Sequence, residues 1–343
     1  MSSITKISCR TVPRLLKEPF RTSLRTVSHF DVIEFHIETD EGLRAIGGAV
    51  ETPAITGDTQ EKILNGLLGQ ISEAIEGIAF SSPLELADKI AETSVVSSAK
   101  AAADMSLYFL EAEMQGKSLS ELLGSTRTSV ATDVTIPVAD ITEIERLVLA
   151  RRRGGFNGLK VKFAMEPVES SIEKLELIDR IVGRGCVMRI DPNQAWTVAH
   201  TLHFLDEIEK VGIQIDYLEQ PTPAHNKQAL AEISRNTRTP LMADESCFDM
   251  DDLLEIIELG AADLVNLKLL KSGGITPTLK MAEVARRSGL DVRVGSMMEG
   301  DVGVFASACV ASALAPMEIH DLDASWWAKD SKIKYESGEV LLR

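Results

Sequence analysis

The sequence predicts an α/β chain whose larger part is a (β/α)8, TIM-like barrel, joined to an α+β capping domain. Three observations predict this: a β-rich and then helical first third, an even strand–helix rhythm after about Ser129, and charged residues at the ends of successive expected strands. At 343 residues the chain also exceeds a bare barrel of about 250, which leaves room for a second, smaller domain.

The capping domain is expected over residues 1–125. Residues 7–12 form a β-prone run, and residues 32–38 alternate apolar and polar at period two. The Asp40-Glu41-Gly42 turn then sets up an antiparallel meander. Residues 59–123 read as helical, with an Ala-rich stretch at 99–113, and Gly124 ends the run.

The barrel is expected over residues 126–324. Strand ends fall near Thr135, Lys162, Asp191, Glu219, Asp244, Lys268, Ser296 and Asp321, each 24 to 29 residues after the last. Eight even βα units, with no Gly-rich nucleotide fingerprint after the first strand, favour a closed barrel over an open doubly wound sheet. Residues 325–343 have no place in the barrel. Their Lys332-Ile333-Lys334-Tyr335 and Val340-Leu341-Leu342 runs around Gly338 read as a hairpin that returns to the capping domain.

Composition narrows the function. The net charge of −16 repels phosphate backbones and anionic lipids, so nucleic-acid and membrane partners are not expected. Cys9, Cys186, Cys247 and Cys309 form no Cys-x-x-Cys pair, which gives no zinc or redox motif and suits a reducing cytoplasm. Residues 1–19 hold no apolar stretch of the kind found in a signal peptide.

Barrel active sites sit at the C-terminal strand ends. Three consecutive strands end in carboxylates: Asp191, Glu219 and Asp244. Such groups repel one another at low dielectric unless a cation neutralises them, and an all-oxygen set suits a hard ion, Mg2+ before others. The alternative is a solvated acidic rim. Lys160 and Lys162 share a face of the preceding strand, because side chains alternate, and Lys268 ends the strand after the arc. These lysines are either salt-bridge partners of the carboxylates or proton-transfer groups. A metal and the Lys160 ammonium beside Lys162 would favour its neutral, basic form. Two bases on opposite faces of a carbon next to a carboxylate can remove a proton and return it inverted, with a cation stabilising the enediolate.

This pattern resembles the enolase superfamily, specifically its muconate-lactonizing-enzyme-like subgroup and, within that, the dipeptide epimerases. The superfamily is known to pair Lys or His bases with Mg2+. The resemblance covers nearly the whole chain. It places the Lys-x-Lys motif on Lys160 and Lys162, and the metal ligands on Asp191-Pro192-Asn193, Glu219-Gln220-Pro221 and Asp244-Glu245-Ser246. The second base falls on Lys268, followed by Lys271-Ser272-Gly273-Gly274. It implies catalysis by Lys162 and Lys268, one Mg2+ per subunit, and inversion of the C-terminal residue of a dipeptide, of the L-Ala-D/L-Glu kind found in murein peptide metabolism. Asp321 and Asp323 would bind the substrate's free ammonium, since two carboxylates at i, i+2 can pair one cation. Arg25, on a lid loop, would meet a glutamate side chain, for which a guanidinium is suited. Thr135, Lys160 and Met298 would complete the substrate contacts, and residues 51–59 would form a second lid loop.

The chain departs from the subgroup where Gly47-Gly48 stands in place of Gly-Glu, and Val50-Glu51 adds charge near the lid, which bears on preference for an anionic dipeptide. Alternatives are an N-acylamino acid racemase, an o-succinylbenzoate synthase, a muconate cycloisomerase or, from another class, a non-catalytic metal-dependent ligand-binding protein. Asp321 and Asp323 speak against substrates without a free ammonium. The i, i+3 pair His200 and His203 is read as surface or packing, Gly273-Gly274 as a turn and not a phosphate loop, and Trp326-Trp327 as packing on the capping domain. A homo-oligomer is left open.

Overall fold

The computed structural model describes residues 1–315 and 318–342; Arg343, the end of the expected tail, lies outside them. The N-terminal part is an antiparallel sheet in the order β3-β2-β1-β4: β1 (Ser2–Arg21), β2 (Thr26–Thr39), β3 (Arg44–Val50) and β4 (Ala79–Phe80). In β2 the alternation is realised directly, with Ile33, Phe35 and Ile37 buried and Glu34, His36 and Glu38 partly exposed. That face packs on helix Ser97–Met114, whose alanines let it approach closely. At Gly47 a Cβ would sit 1.7 Å from the Ala102 carbonyl oxygen, so no side chain fits there.

Beyond a short strand, β5 (Ser129–Ala131), the barrel strands follow in order: β6 (Val134–Ile136), β7 (Gly158–Lys162), β8 (Val187–Asp191), β9 (Leu218–Glu219), β10 (Leu241–Ala243), β11 (Leu264–Lys268) and β12 (Asp291–Gly295). They form one parallel sheet in chain order, with helices between successive strands. The eighth strand differs from expectation. Residues 319–322 close the ring only through isolated bridges, Gly295 to Asp321 on one side and Thr132 to His320 on the other. The reason is local. The Val294 N–H, which a regular ladder would use, is donated to His320 Nδ1 at 3.1 Å. Burial lowers the His320 pKa to about 3 and keeps the ring a neutral acceptor, while Nε2 donates to the Ala315 carbonyl.

The tail forms the expected hairpin, β13 (Tyr335–Glu336) and β14 (Glu339–Leu341). Its second strand pairs with the open edge of β5, and Val340 is buried there in the same apolar cluster as residues of the capping domain. Backbone contact with the capping sheet comes earlier in the tail. Leu16 of β1 bridges to Ala328, and the Lys329 N–H donates to the Leu15 carbonyl.

Candidate active site

The parallel register brings the charged strand ends to one mouth. Lys162 is level with Asp191, and the pairing of β8, β9 and β10 carries Glu219 and then Asp244 round the same rim. Both Lys160 and Lys162 are buried, on one face of β7 as alternation requires. The same alternation puts Asn266 beside Lys268 on β11. Both lean over Gly295, where a Cβ would lie 2.4 Å from Asn266 Oδ1 and 2.9 Å from Lys268 Cε.

Buried charges survive only when paired, and the pairing here is dense. Lys160 Nζ lies 2.8 Å from Glu219, 2.8 Å from Asp321 and 3.2 Å from Asp191. Lys162 Nζ donates to Asp191 Oδ2 at 2.5 Å, and Lys268 Nζ to Asp244 Oδ2 at 2.7 Å. Asn266 Nδ2 donates to Glu219 Oε1 at 3.1 Å. Lys271, fully buried, gives Nζ to the Asp244 carbonyl at 2.6 Å and to Asp244 Oδ1 at 2.7 Å. Burial works against the charged forms of Lys160 and Lys268, but the surrounding carboxylates outweigh it and hold both pKa values above the ordinary lysine value. For Asp244, burial is likewise outweighed, by Lys268 and Lys271, and its carboxyl is held far below the carboxylate range.

Glu219 lacks such relief. Burial and then Asp191 push it up to about 8 against the pull of Lys160, whose Nζ lies 2.8 Å from each of its two oxygens. Glu245 is pushed up to about 7 by burial and by Asp244, and its Oε2 is unpartnered. Among the described residues, no three carboxylate, histidine or cysteine side chains already converge as an ion cage, because the ammonium groups occupy their oxygens. The donor set nonetheless fits a hard divalent cation: buried carboxylate oxygens on or just beyond adjacent strand ends, one of them, Glu245 Oε2, without a hydrogen-bond partner.

Above this layer lies a cavity of about 70 Å³. It is lined by Lys162, Lys268 and Asp244 of the charged arc and by Arg25, Thr135, Met298, Asp321 and Asp323. Lys160, Asp191 and Glu219 sit beneath it, with Lys160 drawn down into its three carboxylates rather than out to the cavity. Asp321 Oδ2 is taken by Lys160 and Asn266. Asp323 is raised by burial and by Asp321. Glu51 lies near enough to Arg25 to act on it electrostatically and also accepts the Gln60 N–H at the start of a helix.

Several cavity residues escaped the sequence reading. Asn193, at a positive φ of 46°, donates its backbone N–H to Asp191 Oδ1 at 2.7 Å, and its carbonyl accepts from Ser23 of the lid at 3.0 Å. Its signal was present in Asp191-Pro192-Asn193, since Asn tolerates left-handed backbone. Phe20 and Met297 also line the cavity and were not singled out by the sequence, whereas Ile55 lines it from within the lid loop expected at residues 51–59. The other sequence features lie outside it: His200 packs at a tilt on Trp196, His203 pairs with Glu207, and Gly274 packs tightly on Asp104, a carboxylate that would repel a phosphate. A larger groove of about 870 Å³ lies at the other end of the barrel, beside Pro240 at the start of β10, and holds none of these converging charges.

Comparison with known families agrees with this architecture. The mandelate racemase / muconate lactonizing enzyme N-terminal domain matches residues 4–124, and the enolase C-terminal domain-like family matches residues 143–341. The chain belongs to the enolase superfamily. Within that superfamily it is 35% identical to an L-Ala-D/L-Glu epimerase of Clostridium acetobutylicum, over 90% of this chain and 86% of the relative. The substrate-liganded L-Ala-D/L-Glu epimerase of Bacillus subtilis superposes with a TM-score of 0.95 at 30% identity, covering 99% of this chain and 96% of that one. A dipeptide epimerase of Enterococcus faecalis, complexed with Mg and L-Leu-L-Tyr, gives a TM-score of 0.92 at 29% identity, covering 99% and 97%.

Proposed function

We propose that the chain is an isomerase, a dipeptide epimerase that inverts the α-carbon of the C-terminal residue by two-base proton transfer. The observation that carries this reading is ring position. Lys162 ends β7 and Lys268 ends β11, four places apart in a ring of seven strands and one closing segment, so they face each other across the mouth. One lysine amine takes the α-proton and the electron pair moves into the carboxylate as an enediolate. The opposite ammonium then returns a proton to the other face.

Asp191, Glu219 and Asp244 would hold one Mg2+ per subunit. Bound there, the ion supplies charge stabilisation to the substrate carboxylate as the proton leaves. Asp321 and Asp323 receive the free α-ammonium of the N-terminal residue. Arg25 faces the side chain of the C-terminal residue, supporting an anionic one as in L-Ala-L-Glu, with Thr135 and Met298 beside it. Four unpaired cysteines, and no helix among the described residues long and apolar enough to cross a membrane, support a cytoplasmic setting.

The test is incubation with L-Ala-L-Glu and a wider dipeptide panel in D2O with Mg2+. Deuterium is expected at the α-carbon of the C-terminal residue, together with inversion. Absence of exchange across the whole panel refutes the reading.

A further inference from the structure

Asp323 is held from outside its own segment. Its Oδ2 accepts two donors, the Thr135 backbone N–H at 2.7 Å and the Trp327 indole N–H at 2.9 Å. Trp327 is fully buried. Its ring stands edge-on to Phe20 of β1, with centroids 4.9 Å apart, and the Arg151 guanidinium lies 4.6 Å from its centroid. Arg151 is itself buried, donating to Glu18 of β1 at 2.5 Å and, through Nε, to the Thr135 carbonyl at 3.4 Å.

These contacts form a closed loop. Arg151 holds the carbonyl of Thr135, the N–H of Thr135 holds Asp323, Asp323 accepts from Trp327, and Trp327 stacks under Arg151. Strand β1 enters the loop twice, through Glu18 and Phe20, and the same strand leads on to Arg25 of the lid. An oxygen that accepts two N–H donors has little capacity left, so Oδ1 is the acceptor that Asp323 offers to the cavity it lines.

We propose that Trp327 is a positioning residue that fixes the Asp323 carboxylate for a free substrate ammonium and ties that recognition to the seating of β1. This rests on the dipeptide-epimerase reading. Removing the indole N–H leaves Asp323 Oδ2 with the Thr135 N–H alone and loosens the carboxylate's orientation, which costs ammonium binding and leaves proton transfer at the lysines intact. The discrimination lost is specific: an N-acetylated dipeptide has no ammonium to lose.

Trp327→Phe keeps a ring for Phe20 and Arg151 and deletes the N–H. The expected result is a rise in KM for L-Ala-L-Glu of roughly tenfold, with kcat within about twofold, because a hydrogen bond to a charged group is lost. The Ki of N-acetyl-L-Ala-L-Glu should stay unchanged, so the preference for the free amine falls by the same roughly tenfold factor. An unchanged KM, or equal weakening of both compounds, overturns the proposal. Should Trp327→Phe fail to fold, Glu18→Gln loosens the clamp from β1. It should lower the free-amine preference by roughly threefold, in keeping with a part-exposed charge pair, and an unchanged preference overturns the proposal. Wild-type protein inactive on every dipeptide sinks the epimerase reading itself, whereas active wild type with an unaltered preference in the variant sinks only the role of Trp327.

Discussion

The two sides of the barrel mouth are built by different means. From β7 to β11 every charged group stands on or just beyond a regular strand, in parallel register with its neighbours. From the closing segment to the lid, the cavity is walled by an irregular stretch at 319–323, a four-residue helix at Ala324–Trp327 and a loop from another sheet. The regular side carries the groups proposed for proton transfer and metal binding. The irregular side carries those proposed for recognition. Strand ends fix reacting groups rigidly, while irregular segments can vary without disturbing them.

If that division is correct, damage to the two sides should differ in kind. The largest effect is expected on the regular side. Chelation of divalent ions should abolish α-proton exchange for every dipeptide alike, and added Mg2+ should restore it; exchange that persists in excess chelator would refute the proposed ligand set. On the irregular side, Arg25→Met should act selectively. It should lower kcat/KM for dipeptides ending in Glu by roughly 10- to 100-fold, the worth of a charge-assisted hydrogen bond, and spare those with apolar C-terminal residues. Equal losses for both classes would place Arg25 outside substrate recognition.

A smaller effect concerns how the capping domain seats on the regular side. Asp104, on helix Ser97–Met114, accepts from Thr276 N at 2.9 Å and Thr276 Oγ1 at 2.7 Å, in the βα unit that follows Lys268. Burial raises its pKa to about 6, against these hydrogen bonds and Lys280. The folded state therefore binds a proton that the unfolded chain, with its carboxyl near 3.8, does not. This contribution to stability increases as pH falls from about 6 to about 4 and levels off below that. Relative to Asp104→Asn, which does not titrate, the wild type should gain on the order of 2–3 kcal/mol over that window. Parallel pH profiles of the two unfolding curves would contradict it.

Legibility in the sequence follows the same division. Strand ends were readable because alternation and even spacing are local properties; Lys160, Lys162, Asp191, Glu219, Asp244 and Lys268 all fall where their strands put them. The eighth strand was read as regular, yet His320 takes the ladder donor of Val294 with its side chain, an event no periodicity reveals. The hairpin at the tail was legible, but its partner β5 was not, because pairing between edges far apart in sequence is a tertiary choice. Phe20 and Trp327 reach the site or its supports only through the docking of one domain on another. Arg25 was identified from resemblance alone, and its place on the cavity wall depends on the lid loop, tied to Asn193 through Ser23.

The most direct test of opposed lysines is stereospecific exchange in D2O, measured by NMR on separate L,L and L,D substrates with Lys162→Ala and Lys268→Ala. Two bases on opposite faces predict that each variant loses inversion by about 10²–10⁴-fold, the usual worth of a general acid or base. They also predict that each variant still exchanges one epimer, and that the surviving epimer differs between the two. Inversion at a near wild-type rate in either variant, or survival of the same epimer in both, would contradict the two-lysine mechanism.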